Sequence, residues 1–142
     1  MNCDCTNAMP LLERMFEVEL DFLGSDGRDV QSLARAFHAD VVVHEPASLP
    51  YAGDWKGLEG IAALLGRMRD AWSDMAVEDM TAARVEDTVF MSCCLTLTSR
   101  ATGAVIRQPF AEVLHFKDGL LLDGTPFYYD TAEIIMQSSV RS

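Results

Sequence analysis

The second half of the chain most constrains its fold. After Ser73 come four long extended segments, Met75 to Glu86, Thr88 to Arg100, Ala104 to Phe116 and Leu120 to Tyr129. They are joined only by Glu86-Asp87, Ala101-Thr102-Gly103 and Lys117-Asp118-Gly119. Connections that short join antiparallel neighbours, because parallel strands need a crossover of about a dozen residues or more. An antiparallel meander is therefore expected, and a sheet with an apolar face needs a cover.

The first half supplies that cover. From Pro10 to about Leu23 the residues Leu11, Leu12, Met15, Phe16, Val18, Leu20, Phe22 and Leu23 form a wide helical stripe, with Glu13, Arg14, Glu17, Glu19 and Asp21 filling most of the rest. Gly24-Ser25-Asp26-Gly27 breaks this helix, and a second is predicted from Arg28 to Phe37 with Val30, Leu33, Ala34 and Phe37 on one side. Val41-Val42-Val43 reads as one short strand ended by Pro46. A structured loop carrying Tyr51 and Trp55 follows to Gly57. A third helix is predicted from Leu58 to Trp72, with Ile61, Leu64, Leu65, Met68 and Trp72 at the spacing of a buried face. Asp130 is placed to cap a short last helix carrying Ile134, Ile135 and Met136.

Helices gathered before a meander describe an α+β domain with the helices on one sheet face. A long sheet twists strongly, so it curls around such helices and leaves room for a cavity between them. The expected boundaries are a flexible tail over 1–9, one domain over 10–137 and a tail over 138–142. At 142 residues and 49% hydrophobic content the chain is large enough for one core.

The net charge of −11, from 22 acidic and 11 basic residues, repels phosphate backbones and argues against nucleic acid as a partner. No apolar run approaches the roughly 20 residues of a membrane span, and the N-terminus lacks the pattern of a secretion signal, so a cytoplasmic location is expected. Adjacent Cys93 and Cys94 on a strand point to opposite faces and read as packing residues, while Cys3 and Cys5 form a lone C-x-C in the tail. His38, His44 and His115 show no metal-binding spacing, and no phosphate-binding loop or nucleophile elbow is present, so neither metal nor cofactor is expected.

Two acids stand out. On the third meander strand, alternation puts Ile106, Gln108, Phe110, Glu112, Leu114 and Phe116 on one face, and an acid in such a row is seldom buried without a reason. Its alternatives are a neutral hydrogen-bond donor or an ion pair with Arg100, Arg107 or His115. Glu45 lies where the first strand ends, among apolar neighbours, where partial burial raises a carboxyl pKa toward neutrality; otherwise it is an exposed loop-edge carboxylate. His44 titrates in the working range of a proton shuttle, although strand parity sends it opposite Glu45. Tyr51, Trp55, Trp72, Phe110, Tyr128 and Tyr129 are candidates to line a pocket and contact a ligand.

The stretch Phe37-His38-Ala39-Asp40-Val41-Val42-Val43-His44-Glu45-Pro46 and the segment Trp55-Lys56-Gly57-Leu58-Glu59-Gly60-Ile61 resemble motifs of the NTF2-like superfamily, particularly its SnoaL and ketosteroid-isomerase branches. The resemblance runs from Leu11 to Ile135. It implies a cone of three N-terminal helices on a curved, mainly antiparallel sheet, and a homodimer covering the outer sheet face, where Val105, Val113 and Leu121 are expected. It also implies a cofactor-independent isomerase, cyclase or dehydratase for a small hydrophobic carbonyl compound, or else a non-catalytic binding or dimerisation module. By the isomerase pattern, Glu45 takes the place of the general base and Glu112 that of the protonated acid, a carboxyl kept neutral by an apolar site. The isomerase's helix-one tyrosine is met here by Met15 and Phe16. The last acid of the related epoxide-hydrolase relay is met by Thr125 to Tyr129.

Overall fold

A computed structural model describes residues 8–138. The expected tails, with Cys3 and Cys5, lie almost wholly outside the described residues. Helix α1 spans Ala8–Gly24, a 3-10 helix η1 spans Val30–Arg35, and strand β1 spans Phe37–Glu45. Then come β2 (Gly53–Lys56), α2 (Gly57–Ala71), β3 (Trp72–Val85), β4 (Thr88–Ser99), β5 (Val105–Lys117), β6 (Leu120–Tyr128) and α3 (Thr131–Ser138). The six strands form one sheet in the order β2-β1-β6-β5-β4-β3. Every neighbouring pair is antiparallel except β1 with β6.

The meander follows the predicted segments to within a few residues because both of its signals are local: alternation along each strand and a tight turn at each end. Two bulges bend it. Asp79, at φ 53°, marks an extra residue in β3 between the pairs Glu78 with Cys94 and Thr81 with Ser92. Another in β6 lies between the partners of His115 and Phe116, which are Asp123 and Leu121. Such insertions kink a strand and increase its twist, curving the sheet around α1 and α2.

The β6 bulge also re-aims a side chain. Leu121 was expected outside with Val105 and Val113, but the shift turns it inward, where it is 1% exposed; Val105 is 64% exposed on the outer face. The N-terminal count changes too. Of the three expected helices, the second is the 3-10 turn η1, because the carbonyl of Ala36 accepts the Leu121 N–H (2.8 Å) and commits the chain to the sheet by Phe37. For the same reason β1 is nine residues long, with Phe37, Val41, Val43 and Glu45 buried, and not confined to Val41–Val43. Trp72 opens β3 instead of ending the third helix.

Helix α3 closes one end of the concave face. Glu133 donates its N–H to the Asp130 carboxylate (3.2 Å), so the predicted cap forms. Gln108 then clamps the helix to β5, its amide nitrogen donating to the Glu133 side chain (2.9 Å) and its oxygen accepting the Asp130 N–H (3.1 Å). Among the described residues, no helix is long and apolar enough to cross a membrane.

Candidate functional site

Between α1, α2 and the curved sheet lies a cavity of about 460 Å³. Helix α1 contributes Met15, Phe16, Glu19, Leu20 and Leu23, and α2 contributes Ile61, Leu64, Leu65 and Met68. The sheet adds Val43, Leu95, Leu97, Phe110 and Leu121 among others, so nearly the whole wall is apolar. Leu20 (66% exposed) and Val77 (38% exposed) both line it, which puts the mouth between α1 and β3. Among the described residues, no Lys, Arg or His lines the cavity, whereas Glu19, Glu45 and Glu112 all do.

Glu45 arrives at the cavity because it is the last inward residue of β1. It is 8% exposed, and burial pushes its carboxyl up to about 7, against the opposing pull of a hydrogen bond donated by Tyr128 (3.4 Å). Tyr128 in turn bonds Tyr51, whose Oη accepts the indole N–H of Trp72 (3.3 Å). The ends fix the polarity of this chain, since indole only donates and an ionised carboxylate only accepts. Trp72 therefore donates to Tyr51, Tyr51 to Tyr128, and Tyr128 to Glu45. Phe110 packs edge-on against the Tyr128 ring, centroids 5.1 Å apart, and holds it against the cavity wall.

Glu112 projects inward from β5 between Phe110 and Leu114. It lines the cavity, and burial, followed by the charges of Glu19 and Glu45, raises its pKa well above the ordinary carboxylate range. The alternative of an ion pair is not met. Arg107 pairs with Glu78 on the outer face, Arg100 donates to the carbonyls of Arg69 and Trp72, and His115 bonds Thr88. The carboxyl lies over Gly124 of β6, where an added Cβ would fall 2.9 Å from its Oε2. A glycine there is what gives the acid its room.

Glu19 was not singled out in the sequence. It is one helical turn from Met15 and less than a turn from Phe22, both buried, so its phase on α1 points inward. Burial first, and Glu45 second, push its pKa up to about 8. The surrounding acids, Glu13, Glu17 and Asp21, hid it within the wet side of an amphipathic pattern.

Four candidates lie elsewhere. His44 is on the outer face, as parity requires, with Nδ1 bonded to Asp54 and Nε2 to Asp123, both at 2.7 Å. These two carboxylates raise its pKa, and it has no place on the cavity wall. Trp55 packs beside the core with its N–H on the Tyr51 carbonyl (3.0 Å), and Trp72 is fully buried behind Tyr51, so neither lines the cavity. Tyr129 is 77% exposed and also lies outside it. Tyr51, Phe110 and Tyr128 share the cavity with the acids. Cys93 is buried and Cys94 half-buried on opposite faces of β4, both as free thiols. Among the described residues, no cluster of His, Cys, Asp or Glu is arranged to hold a metal ion.

The fold has many solved counterparts. An NTF2-like protein from Burkholderia xenovorans LB400 superposes with a TM-score of 0.78 at 14% identity, covering 96% of this chain and 98% of its own. A putative polyketide cyclase from Xanthomonas campestris pv. campestris gives 0.72 at 19% identity, with 95% and 98% covered. A protein of ketosteroid isomerase-like fold from Catenulispora acidiphila DSM 44928, in complex with trimethylamine, gives 0.66 at 17% identity, with 88% and 94% covered. Comparison with curated proteins finds no match. The SnoaL-like domain model matches residues 13–123, most of the chain, and this protein therefore belongs to the SnoaL-like domain family.

Proposed function

We propose that the protein is a cofactor-independent acid–base enzyme, an isomerase, cyclase or dehydratase, acting on a small hydrophobic carbonyl compound held in the cavity. Glu45 is the base and Glu112 the neutral hydrogen-bond donor, with Tyr51, Phe110 and Tyr128 contacting the substrate. The observation that carries this reading is the meeting of two acids on one apolar cavity wall that no Lys, Arg or His lines among the described residues. Burial raises both carboxyls, Glu45 to about 7 and Glu112 well above the ordinary carboxylate range. A base poised near the working pH and a donor placed where charge develops are the two parts that carbonyl-adjacent proton transfer needs. The putative polyketide cyclase among the structural neighbours is in keeping with it.

The test is carbon-bound hydrogen exchange in D2O over a panel of apolar ketones, with Glu45→Gln alongside. Wild type is expected to accelerate exchange, and the variant to lose roughly 10²-fold or more. Ordinary carboxyl titrations for both Glu45 and Glu112, with no exchange, would leave only a non-catalytic binding module. Phe90 (47% exposed), Val105 and Phe127 (53% exposed) share the outer face, which favours a homodimer joined through the sheet. Phe127→Asp is expected to shift sedimentation to monomer; a wild type that is already monomeric at micromolar concentration would remove the dimer.

A further inference from the structure

The cavity is not alike along its length. Its polar side chains are Glu19, Glu45, Tyr51, Glu112 and Tyr128, and all but Glu19 come from β1, β5, β6 or the loop after β1. Glu19 stands at the same end, near enough for charge to act between it and both Glu45 and Glu112. Strands β3 and β4 line the cavity with Met75, Ala76, Val77, Met80, Leu95 and Leu97, and among the described residues they offer a ligand no polar side chain. The register gives the separation. Met75 pairs with Leu97, and Leu97 with Ile106, six positions before Glu112 on β5. The far end of the apolar wall is therefore two strands across and roughly 20 Å of strand away from that carboxyl. The exposed Leu20 and Val77 place the mouth on this apolar side.

Methionine is concentrated on this wall. Met15, Met68, Met75 and Met80 line the cavity, half of the eight in the chain. An unbranched thioether re-forms around carbon of differing shape, yet gives a polar atom only a weak acceptor. We infer that the cavity takes single-headed ligands, the one polar group at the β1–β6–β5 end and an apolar tail laid along β3 and β4 towards the mouth, and that Met75 and Met80 select the tail. This deepens the acid–base reading and rests on it for the carbonyl as head. A tail oxygen would leave water without gaining a partner, so a second polar group is rejected, whereas the shape of the carbon tail is loosely specified.

The probes are 2-decanone, with a carbonyl at one end, and 2,9-decanedione, of the same length with a carbonyl at both. Titration followed by NMR of methyl-labelled methionine reads affinity and orientation together. The dione is expected to bind wild type about tenfold more weakly or worse. Nuclear Overhauser contacts should run from the tail methyl of 2-decanone to the β3 methionines, and from its acetyl methyl to Phe110 and Tyr128. Met80→Gln, with Met75→Gln as a second position on the same strand, supplies an amide at the tail end and should recover most of the dione's loss. Met80→Leu and Met75→Leu should not, and 2-decanone affinity reports an intact cavity in each variant. Equal affinity for the two compounds, equal contacts from both ends of 2-decanone, or no binding of either overturns the inference. If both Gln variants bind 2-decanone and neither recovers the dione, the two methionines are not the selectors. Oriented binding without carbon-bound hydrogen exchange removes the acid–base reading and keeps the orientation, whereas exchange without orientation does the reverse.

Discussion

The outer and inner faces of this sheet treat charge in opposite ways. Outside, His44 is held between Asp54 and Asp123, and Arg107 is paired with Glu78, in settings where water already screens each charge. Inside, Glu19, Glu45 and Glu112 face an apolar cavity with no cation among them. Even within one inward row of β5 the contrast holds: Gln108 has its amide satisfied by α3, whereas Glu112, four residues on, has no hydrogen-bond partner among the described residues. A chain that can satisfy Gln108 can satisfy a buried polar group. Acids left open to a cavity a few residues away mark where a ligand, and not the fold, can meet them.

The largest expected effect lies in the pH dependence of stability. Glu19 holds its proton up to about 8 in the fold but only to 4.5 as a free group, so between these values the folded state binds a proton the unfolded chain has lost. Stability therefore falls as pH rises from 4.5 to about 8, by up to a few kcal/mol shared with Glu45, whose charge is part of what raises Glu19. Glu45 adds to it with the same sign up to about 7. His44, whose raised pKa favours the fold below about 6.5, also loses its contribution as pH rises through its folded value. Urea unfolding at pH 5 and pH 8 reads the difference, and Glu19→Leu should flatten it. Equal midpoints for wild type at the two pH values would mean that the inner acids are ordinary after all.

Next in size is Gly124→Ala, which presses a methyl group onto the end of the Glu112 side chain; because that carboxyl can swing aside, the cost should be about 1 kcal/mol. Combined with Glu112→Ala, most of that cost should vanish, and a double-mutant cycle with no coupling would show that Gly124 is there for another reason. The smallest effect is expected outside. His44→Ala should cost about 0.5–1 kcal/mol at pH 6 and less at pH 8, because the pair is more than a third exposed and screened. A larger loss would mean that the outer face stores more energy in its charges than its exposure suggests.

How far the site was legible follows from how local each signal is. Glu112 was readable because one acid breaks an apolar row of period two, and Glu45 because a proline follows it at a strand end. Glu19 carried an equally good signal, its phase on α1, but that phase is clear only once Leu12, Met15, Val18 and Phe22 are known to be the buried set. The length of β1 was not readable, because His38, Ala39 and Asp40 are poor strand formers on their own. They lie in an irregular stretch of the ladder, held extended between the β6 pairs Phe37 with Leu121 and Val42 with Asp123, partners supplied from the far end of the sequence. Trp55 and Trp72 looked like pocket residues because an aromatic near a loop suits a cavity mouth and a core equally well.

That pairing of β1 with β6 has a consequence for how the molecule comes into being. Val43 meets Gly124, and Phe37 meets Leu121, across more than half the length of the chain, whereas β3, β4 and β5 meet their neighbours through tight turns. Contacts so distant in sequence carry the greater loop-closure cost and form after local ones. Pulsed hydrogen exchange during refolding should accordingly find the β4–β5 amides protected before those of Val43 and Gly124. During synthesis, Glu45 and Glu112 are brought to a common cavity only when the last strand has left the ribosome, so a chain cut short after β5 would carry both acids without the site they make.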